Sequence, residues 1–393
     1  MNAVNVYFRL NGHPVIHMLI AITGILLIVY AMLIFYYHRV WNRIPVPAQG
    51  SPDLPIQSIK VSVIIPARNE ALHISKCLDS LSNQSYPAVN TEIIVVNDFS
   101  TDETASIVLG HKLNCKLLHL SDYVSDGLNA YKKKALQTGI SFSAGELIIC
   151  TDADCTMGTD WIRILVLAYE RENLQFIAAP VKIIPDGYWL SIFQTLDFIS
   201  LQGITGAAVY KNLYPMCNGA NLAYARKTYD AVGGFTDIDH IASGDDMLLM
   251  KKIQSRFPGK SGYIMDEKVI VSTAPAENIK AFFNQRIRWA SKISHYNHLA
   301  TFLTLALVYL VNLSLLILFI SCLFYGHWRW LLILIVIKTI SEYFFVLKVA
   351  TFFNQQHLMK FFPICQPFHI LYTVIAGSFG SFGKYNWKNR KVK

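Results

Sequence analysis

Charge is scarce in this chain. Asp, Glu, Lys and Arg make up 16% of its 393 residues, against roughly 25% in an ordinary soluble domain. With 53% hydrophobic residues and a mean hydropathy of +0.34, that deficit excludes a wholly soluble protein and a disordered chain. Paired cysteine spacing is also missing. The seven cysteines, Cys77, Cys115, Cys150, Cys155, Cys217, Cys322 and Cys365, include no C-x-x-C. An odd, unpatterned set argues against a zinc site or a disulfide scaffold and suits a reducing compartment. There is no G-x-x-x-x-G-K-[ST] phosphate loop and no G-x-S-x-G elbow, which removes the commonest phosphate-loop and serine-hydrolase signatures. The net charge of +9 comes without a nucleic-acid-binding motif, so no nucleic-acid partner is expected. Much of the excess flanks apolar segments, as in Lys384, Lys388, Arg390, Lys391 and Lys393, the pattern of cytoplasmic topology signals.

Long apolar runs are present. From Pro14 to Tyr37 there is no Lys, Arg, Asp or Glu, and about 20 apolar residues cross a bilayer as a helix. Arg39 and Arg43 follow directly, which places that end of the span on the cytoplasmic side; Arg9 opposes the assignment. A second span is expected at Leu299 to Tyr325 and a third at Trp330 to Ala350. The third carries Lys338 and Glu342, four apart and therefore on one helix face, readable either as a functional pair or as a structural one. A last apolar stretch, Phe361 to Gly383, holds Pro363 and Pro367 and reads as a span or a re-entrant segment. The organisation expected is an N-terminal anchor over 1–40, a Pro-rich linker over 41–58 (Pro45, Pro47, Pro52, Pro55), a cytosolic domain over 59–296, a membrane region over 297–383 and a basic tail over 384–393.

In the polar middle, short apolar runs at 60–66, 92–96, 116–120 and 146–150 alternate with helical spacing at 71–81 and 129–142. That alternation predicts a mostly parallel α/β sheet, with ligands at the carboxyl ends of the strands. The residues at those ends carry chemistry. Asp152 and Asp154 form a D-x-D after the fourth run, where two carboxylates can grip a hard divalent cation alongside substrate phosphates. Asp98 ends the second run and can accept from a base N–H; Asp102 reads as a helix cap. Asp245 and Asp246 are adjacent. They read either as a general base with a raised pKa or as an acidic helix start. Gln285, Arg288 and Trp289 share one helix face and read either as an amide, a phosphate-binding guanidinium and an aromatic platform, or as a membrane-interface anchor. The sequons at Asn83 and Asn312 and the His295/His298 pair read as incidental.

Taken in order, the opening strand, Asp98, D-x-D, Asp-Asp and Q-x-x-R-W resemble the membrane-bound family 2 glycosyltransferases, the group that includes cellulose, chitin, hyaluronan and poly-N-acetylglucosamine synthases and ceramide glucosyltransferase. The resemblance covers roughly Val61 to Trp289. It implies a GT-A-type α/β nucleotide-sugar domain flanked by transmembrane α-helices, in a multi-pass protein of the cell (inner or plasma) membrane with a cytosolic catalytic domain. It implies an NDP-sugar donor, most often a UDP-sugar, and Mg²⁺ or Mn²⁺. Pro66, Arg68, Glu70, Asp98 and Asp152 match the nucleotide pocket. Lys132 matches the lysine of G-K-x-x-A-L, with Tyr131 where Gly is usual. Asp152 and Asp154 match the metal site, Asp246 the general base, and Gln285, Arg288 and Trp289 the remaining catalytic set. Asn218 to Asn221 match the acceptor side, and Asn97 stands where an Asp is common. The implied reaction is an inverting transfer to a lipid or lipid-linked acceptor. The alternatives are a processive β-polysaccharide synthase, with an export partner as a further partner, and a non-catalytic membrane scaffold with a degenerate transferase domain.

Overall fold

A computed structural model describes residues 3–46, 59–125, 129–291, 298–380, 385–387 and 390–392, with backbone alone for 3–13 and beyond 380. Most of the expected linker, His295 and the tail residues Lys384, Lys388 and Lys393 lie outside the described residues. In chain order the elements are α1 (Ala3–Trp41), β1 (Val61–Ala67), α2 (Ile74–Ser82), β2 (Thr91–Asn97), α3 (Thr104–Gly110), β3 (Lys116–His119), α4 (Tyr131–Ser141), β4 (Leu147–Cys150), β5 (Thr156–Met157), α5 (Trp161–Glu172), β6 (Phe176–Ala178), β7 (Val181–Ile183) and α6 (Trp189–Tyr210). There follow β8 (Leu222–Ala225), α7 (Arg226–Ala231), α8 (Asp245–Arg256), β9 (Ser261–Tyr263), β10 (Val271–Thr273), α9 (Ile279–Ala290), α10 (Leu299–Tyr325), α11 (Trp328–Phe352), α12 (Phe362–Gly380), and the antiparallel pair β11 (Tyr385–Trp387) and β12 (Arg390–Val392). They divide into two units. One comprises 1–42, 192–203 and 277–383; the other comprises 43–191, 204–276 and 384–393.

The second unit is the α/β domain. Its seven-stranded sheet runs β3-β2-β1-β4-β8-β6-β9. Strands β1 to β4 are mutually parallel, and β8 is antiparallel to both β4 and β6. A small sheet runs β5-β10-β7. The continuous apolar runs of β1 and β4 reflect burial on both faces: Val63, Ile64, Ile65, Leu147, Ile148 and Ile149 are wholly buried. Each contributes about 1.5–3 kcal/mol by leaving water. The chain passes from β1 out to β3 and returns on the other side of β1 as β4. The strand order therefore reverses between β1 and β4, where an open α/β sheet leaves a crevice for ligand. The expected strands and helices all appear, with ends displaced by no more than three residues.

The first unit is helical. Among the described residues four stretches are long and apolar enough to cross a membrane: Pro14–Trp41, Leu299–Tyr325, Trp328–Phe352 and Gln356–Gly380. The last overlaps the ambiguous segment of the sequence and is long enough to span, with Pro367 inside its helix. Helix α1 packs on α10 and α11, and α12 packs on α9 and α10. On α1, Tyr30, Ile34, Tyr37 and Trp41 are buried, whereas Ile25, Ile28, Met32 and Phe35 are each about 60% exposed. Apolar surface on that scale is not left to water by a soluble protein; it suits lipid.

Polar groups are sequestered inside this unit. The Lys338 ammonium donates to Glu342 Oε1 at 2.7 Å and to Gln366 Oε1 at 2.8 Å. Glu342 also accepts from the Tyr30 hydroxyl at 2.6 Å and the Gln366 amide at 2.7 Å. The i,i+4 pair read from the sequence is thus formed and fully partnered. Nearby, Arg286 on α9 pairs with Asp197 of α6 at 2.6 Å; the Tyr372 hydroxyl donates to the same carboxylate.

Candidate active site

The carboxyl ends of β1, β2 and β4 carry Arg68, Glu70, Asp98, Asp152 and Asp154, all within the α/β unit. After β1, Arg68 Nη1 donates to the carbonyls of Asp98 (2.9 Å) and Phe99 (3.1 Å). The two loops are laced further. The Asn69 N–H donates to Ser100 Oγ at 3.0 Å, Glu70 N–H to Thr104 Oγ1 at 2.8 Å, and Ala71 N–H to Asp102 Oδ2 at 3.0 Å. Asn69 and Phe99 both have φ +50°, a left-handed turn at each strand end that aims the following loop across the sheet edge. Asp98 lies between these loops and is 2% exposed. Asp102, not Asp98, is the helix-starting group: its Oδ1 accepts from the N–H (3.1 Å) and hydroxyl (2.5 Å) of Thr104. Burial opposes ionisation of Asp102, but these hydrogen bonds outweigh it and hold the carboxyl below its ordinary pKa. Asn97 has a purely local part. Its amide bonds His119 Nδ1 of β3 at 3.1 Å and its oxygen takes the Ser100 N–H at 3.2 Å.

After β4, Asp152 and Asp154 face different partners. Asp152 Oδ1 accepts from the Lys132 ammonium at 2.6 Å; Asp154 Oδ2 accepts from Thr273 Oγ1 of β10 at 3.3 Å. Lys132 stands in the first turn of α4. It also lies 3.6 Å from Asp245 Oδ2 at the start of α8. Burial disfavours the Lys132 charge, yet Asp152, Asp245 and Asp246 together outweigh it and raise its pKa above the usual lysine range. Asp246 takes two N–H donors, Gly219 to Oδ2 at 3.2 Å and Met247 to Oδ1 at 2.8 Å. A β-carbon at Gly219 would sit 3.2 Å from Lys132 Nζ and 3.3 Å from Asp245 Oδ2, so the glycine makes room for this junction. Gly244, at φ +79°, turns the chain into α8 in a conformation that L residues rarely adopt. Asp245 and Asp246 are each 8% exposed. The structure thus joins the D-x-D, Lys132 and the acidic pair through one ammonium.

Two carboxylates, Asp152 and Asp154, make a hard-oxygen donor set. Among the described residues no group of three or more His, Cys, Asp or Glu side chains could hold a metal ion. Two protein carboxylates with the rest of the shell from phosphate oxygens and water is the usual arrangement for Mg²⁺ at a nucleotide site, so the residues fit a substrate-assisted cation site.

Gln285, Arg288 and Trp289 fall on α9, in the helical unit. There Trp289 packs against Phe198 in a tilted arrangement with ring centroids 6.2 Å apart and lies under the Arg286 guanidinium at 4.3 Å. Sequence reasoning passed over Arg286, which is 4% exposed. It also passed over Lys133, which is 1% exposed. Lys133 shares a face with Leu136 and Ile140 by the i, i+3, i+7 spacing of buried positions on α4. A lysine on an apolar face was the available signal.

Comparison with known proteins follows the same lines. Residues 62–233 match Glycosyl transferase family 2. The chain is 29% identical over 262 residues to a probable glycosyltransferase, YdaM, of Bacillus subtilis, covering 65% of this chain and 59% of that one. It is 25% identical over 232 residues to the poly-beta-1,6-N-acetyl-D-glucosamine synthase of Staphylococcus epidermidis, covering 58% and 53%. The chain therefore spans somewhat over half the length of these curated relatives. Among solved structures, a mannosyltransferase from Pyrobaculum calidifontis, described in complex with GDP-Man and Mn²⁺, superposes with a TM-score of 0.58 at 20% identity, over 90% of this chain and 99% of that one. At that identity the likeness is one of fold, and the fold is GT-A.

Proposed function

We propose, from the match of residues 62–233 to glycosyl transferase family 2, that this chain is a transferase of that kind and moves a sugar from a nucleoside-diphosphate sugar, a UDP-sugar in the first instance, to the hydroxyl of a lipid or lipid-linked acceptor. The observation that carries the reading is the meeting of Asp152, Lys132, Asp245 and Asp246 beside the β1/β4 crevice. Asp98, with Pro66, Arg68 and Glu70 on the neighbouring loops, is proposed to hold the nucleoside, its carboxylate accepting from the base. Asp152 and Asp154 would hold Mg²⁺ or Mn²⁺, which when bound neutralises charge on the departing diphosphate. Lys132 supplies a fixed positive charge beside the same group.

Asp246 is proposed as the general base. The acceptor oxygen forms its bond to the anomeric carbon as the bond from that carbon to the diphosphate oxygen breaks. The electron pair leaves with the nucleoside diphosphate, and the acceptor proton passes to Asp246. One displacement inverts the configuration. The N–H groups of Gly219 and Met247 donate to the Asp246 carboxylate and hold it in place. Gln285, Arg288 and Trp289 enter the proposal on their motif alone.

The Staphylococcus relative, named as a polymer synthase, favours a second reading as a processive β-polysaccharide synthase, to which an export partner would belong. We place the protein as multi-pass in the cell membrane with the α/β unit in the cytosol. The exposed apolar faces of the spans, Arg39 and Arg43 after the first span, and seven free cysteines support that placement. The test is nucleotide release from a panel of UDP- and GDP-sugars by the full chain in native lipid, with and without Mg²⁺ or Mn²⁺, beside Asp246→Asn. Release with one donor, lost in the variant, is expected, and the labelled product then separates lipid from polymer. Full turnover in Asp246→Asn would remove the assigned base; nucleotide binding with no release from any donor would favour the scaffold.

A further inference from the structure

The loop that delivers the acidic pair is held by lysines that no part of the reaction above uses. Between α7 and α8 the chain runs from Gly233 to Gly244 with four left-handed residues, Gly233, Gly234, Asp237 and Gly244. Backbone turns close parts of the loop, with Thr236 N–H on Gly233 O, Ile238 N–H on Phe235 O and Ile241 N–H on Ile238 O. Carbonyls of the loop are held by side-chain donors as well. The Lys133 ammonium donates to Ile238 O at 2.7 Å, Ile241 O at 2.6 Å and Ser243 O at 2.9 Å. The three bonds match the donor capacity of an ammonium group, and the side chain is 1% exposed. Lys252, about two turns into α8, donates to Gly234 O and Thr236 O, both at 2.8 Å. Asn129, just before α4, donates to His240 O at 2.9 Å. Six carbonyls of one loop are thus held from α8 and from the helix start that also carries Lys132.

We propose that Lys133 is a positioning residue for Asp246, with Lys252 as a second anchor. By gripping the last carbonyls before Gly244, Lys133 sets where α8 begins and so where the Asp246 carboxylate stands relative to Gly219. Adjacent lysines then divide the work. Lys132 contacts the carboxylates, and Lys133 fixes the backbone on which two of them ride. A buried ammonium spent on loop carbonyls is costly to desolvate, and the loop already has backbone turns of its own, so the added grip on Ile241 and Ser243, just before Gly244, points to placement of the helix start that follows. This rests on the proposed transferase reading for the role of Asp246, but the clamp itself is testable without turnover.

The first measurement is deuterium exchange of residues 241–250 in the full chain and in Lys133→Met, which keeps the side-chain volume and removes the donors. Exchange at the Met247 amide at least tenfold faster, with β1 to β4 unchanged, is expected; equal exchange would overturn the clamp. The second is kinetic. Lys133→Met should lower kcat by 30-fold or more and leave nucleoside-diphosphate affinity within twofold, because the donor-side loops do not use Lys133. Methylammonium should restore part of the rate to Lys133→Ala. An unchanged kcat with only a lower melting temperature would make Lys133 merely structural and refute the proposal. Should Lys133→Met not fold, Lys252→Met frees only two carbonyls farther from Asp246. A threefold to tenfold loss of kcat at unchanged nucleotide affinity is expected, and an unaltered kcat would overturn the proposal. If the wild-type chain releases nucleotide from no donor, the transferase reading fails while the exchange result still decides the clamp.

Discussion

Removing the Lys338 ammonium tests the polar centre of the helical unit. Lys338 is wholly buried and Glu342 is 6% exposed. In Lys338→Met the Glu342 carboxylate loses its countercharge and keeps two neutral donors, Tyr30 and Gln366; Gln366 Oε1 loses its donor as well. Stripping one partner from a buried pair costs about 3–5 kcal/mol. The two surviving hydrogen bonds place this case at the lower end, about 3 kcal/mol, or roughly a hundredfold in the folding equilibrium. Adding Glu342→Gln removes the stranded charge while leaving an acceptor for Tyr30. The double variant should therefore recover about 2 kcal/mol relative to Lys338→Met. The assay is reversible unfolding in bicelles or nanodiscs across the four-member cycle. Costs that simply add, within the ~0.5 kcal/mol seen for independent sites, would refute the reasoning, because they would mean that the two charges do not depend on each other. Retained transfer in the double variant would show that the pair serves the bundle and not the chemistry.

Three further outcomes are expected. Asp154→Ala should abolish stimulation by Mg²⁺ or Mn²⁺ together with at least a hundredfold of activity, read by nucleotide release over a metal titration; a variant still stimulated by metal would remove Asp154 from the site. Asp102 has a folded pKa below its ordinary value of 3.8, so its contribution to stability is present above pH ~4 and disappears as the pH falls through the folded pKa. Wild type should exceed Asp102→Asn in melting temperature at pH 6 and converge on it once the pH falls below the folded pKa; a constant gap would sink the assignment. Arg286→Leu strands Asp197 inside the helical unit and should destabilise it by about 3 kcal/mol or more, with Asp197→Leu in the same chain restoring much of the loss in the same unfolding assay.

Much of the architecture was legible because its signals are periodic. Continuous apolar runs of four to seven residues marked β1, β2 and β4, and burial on both faces is the reason they are continuous. Runs of about 20 apolar residues marked the spans, since only that length clears a bilayer. The polar residues at the strand ends marked the crevice, because a parallel sheet leaves its carboxyl edge open. The antiparallel β8 and the two-residue β5 were not legible. A short strand between turns looks alike in either direction, and two residues carry no period.

Chemistry and pattern could be read locally from the sequence: an α/β domain, its strand-end carboxylates, apolar spans and a pair of charges one helical turn apart. Only the tertiary structure decided which partner each charge found. Lys132 and Lys133 are neighbours with the same side chain, yet one reaches two carboxylates and the other three carbonyls more than a hundred residues away. Arg286 and Arg288 differ in the same way, the former burying its charge against Asp197. A helix turns 100° per residue, so adjacent identical side chains look into different surroundings, and those surroundings are assembled from distant segments that no local reading of the sequence contains.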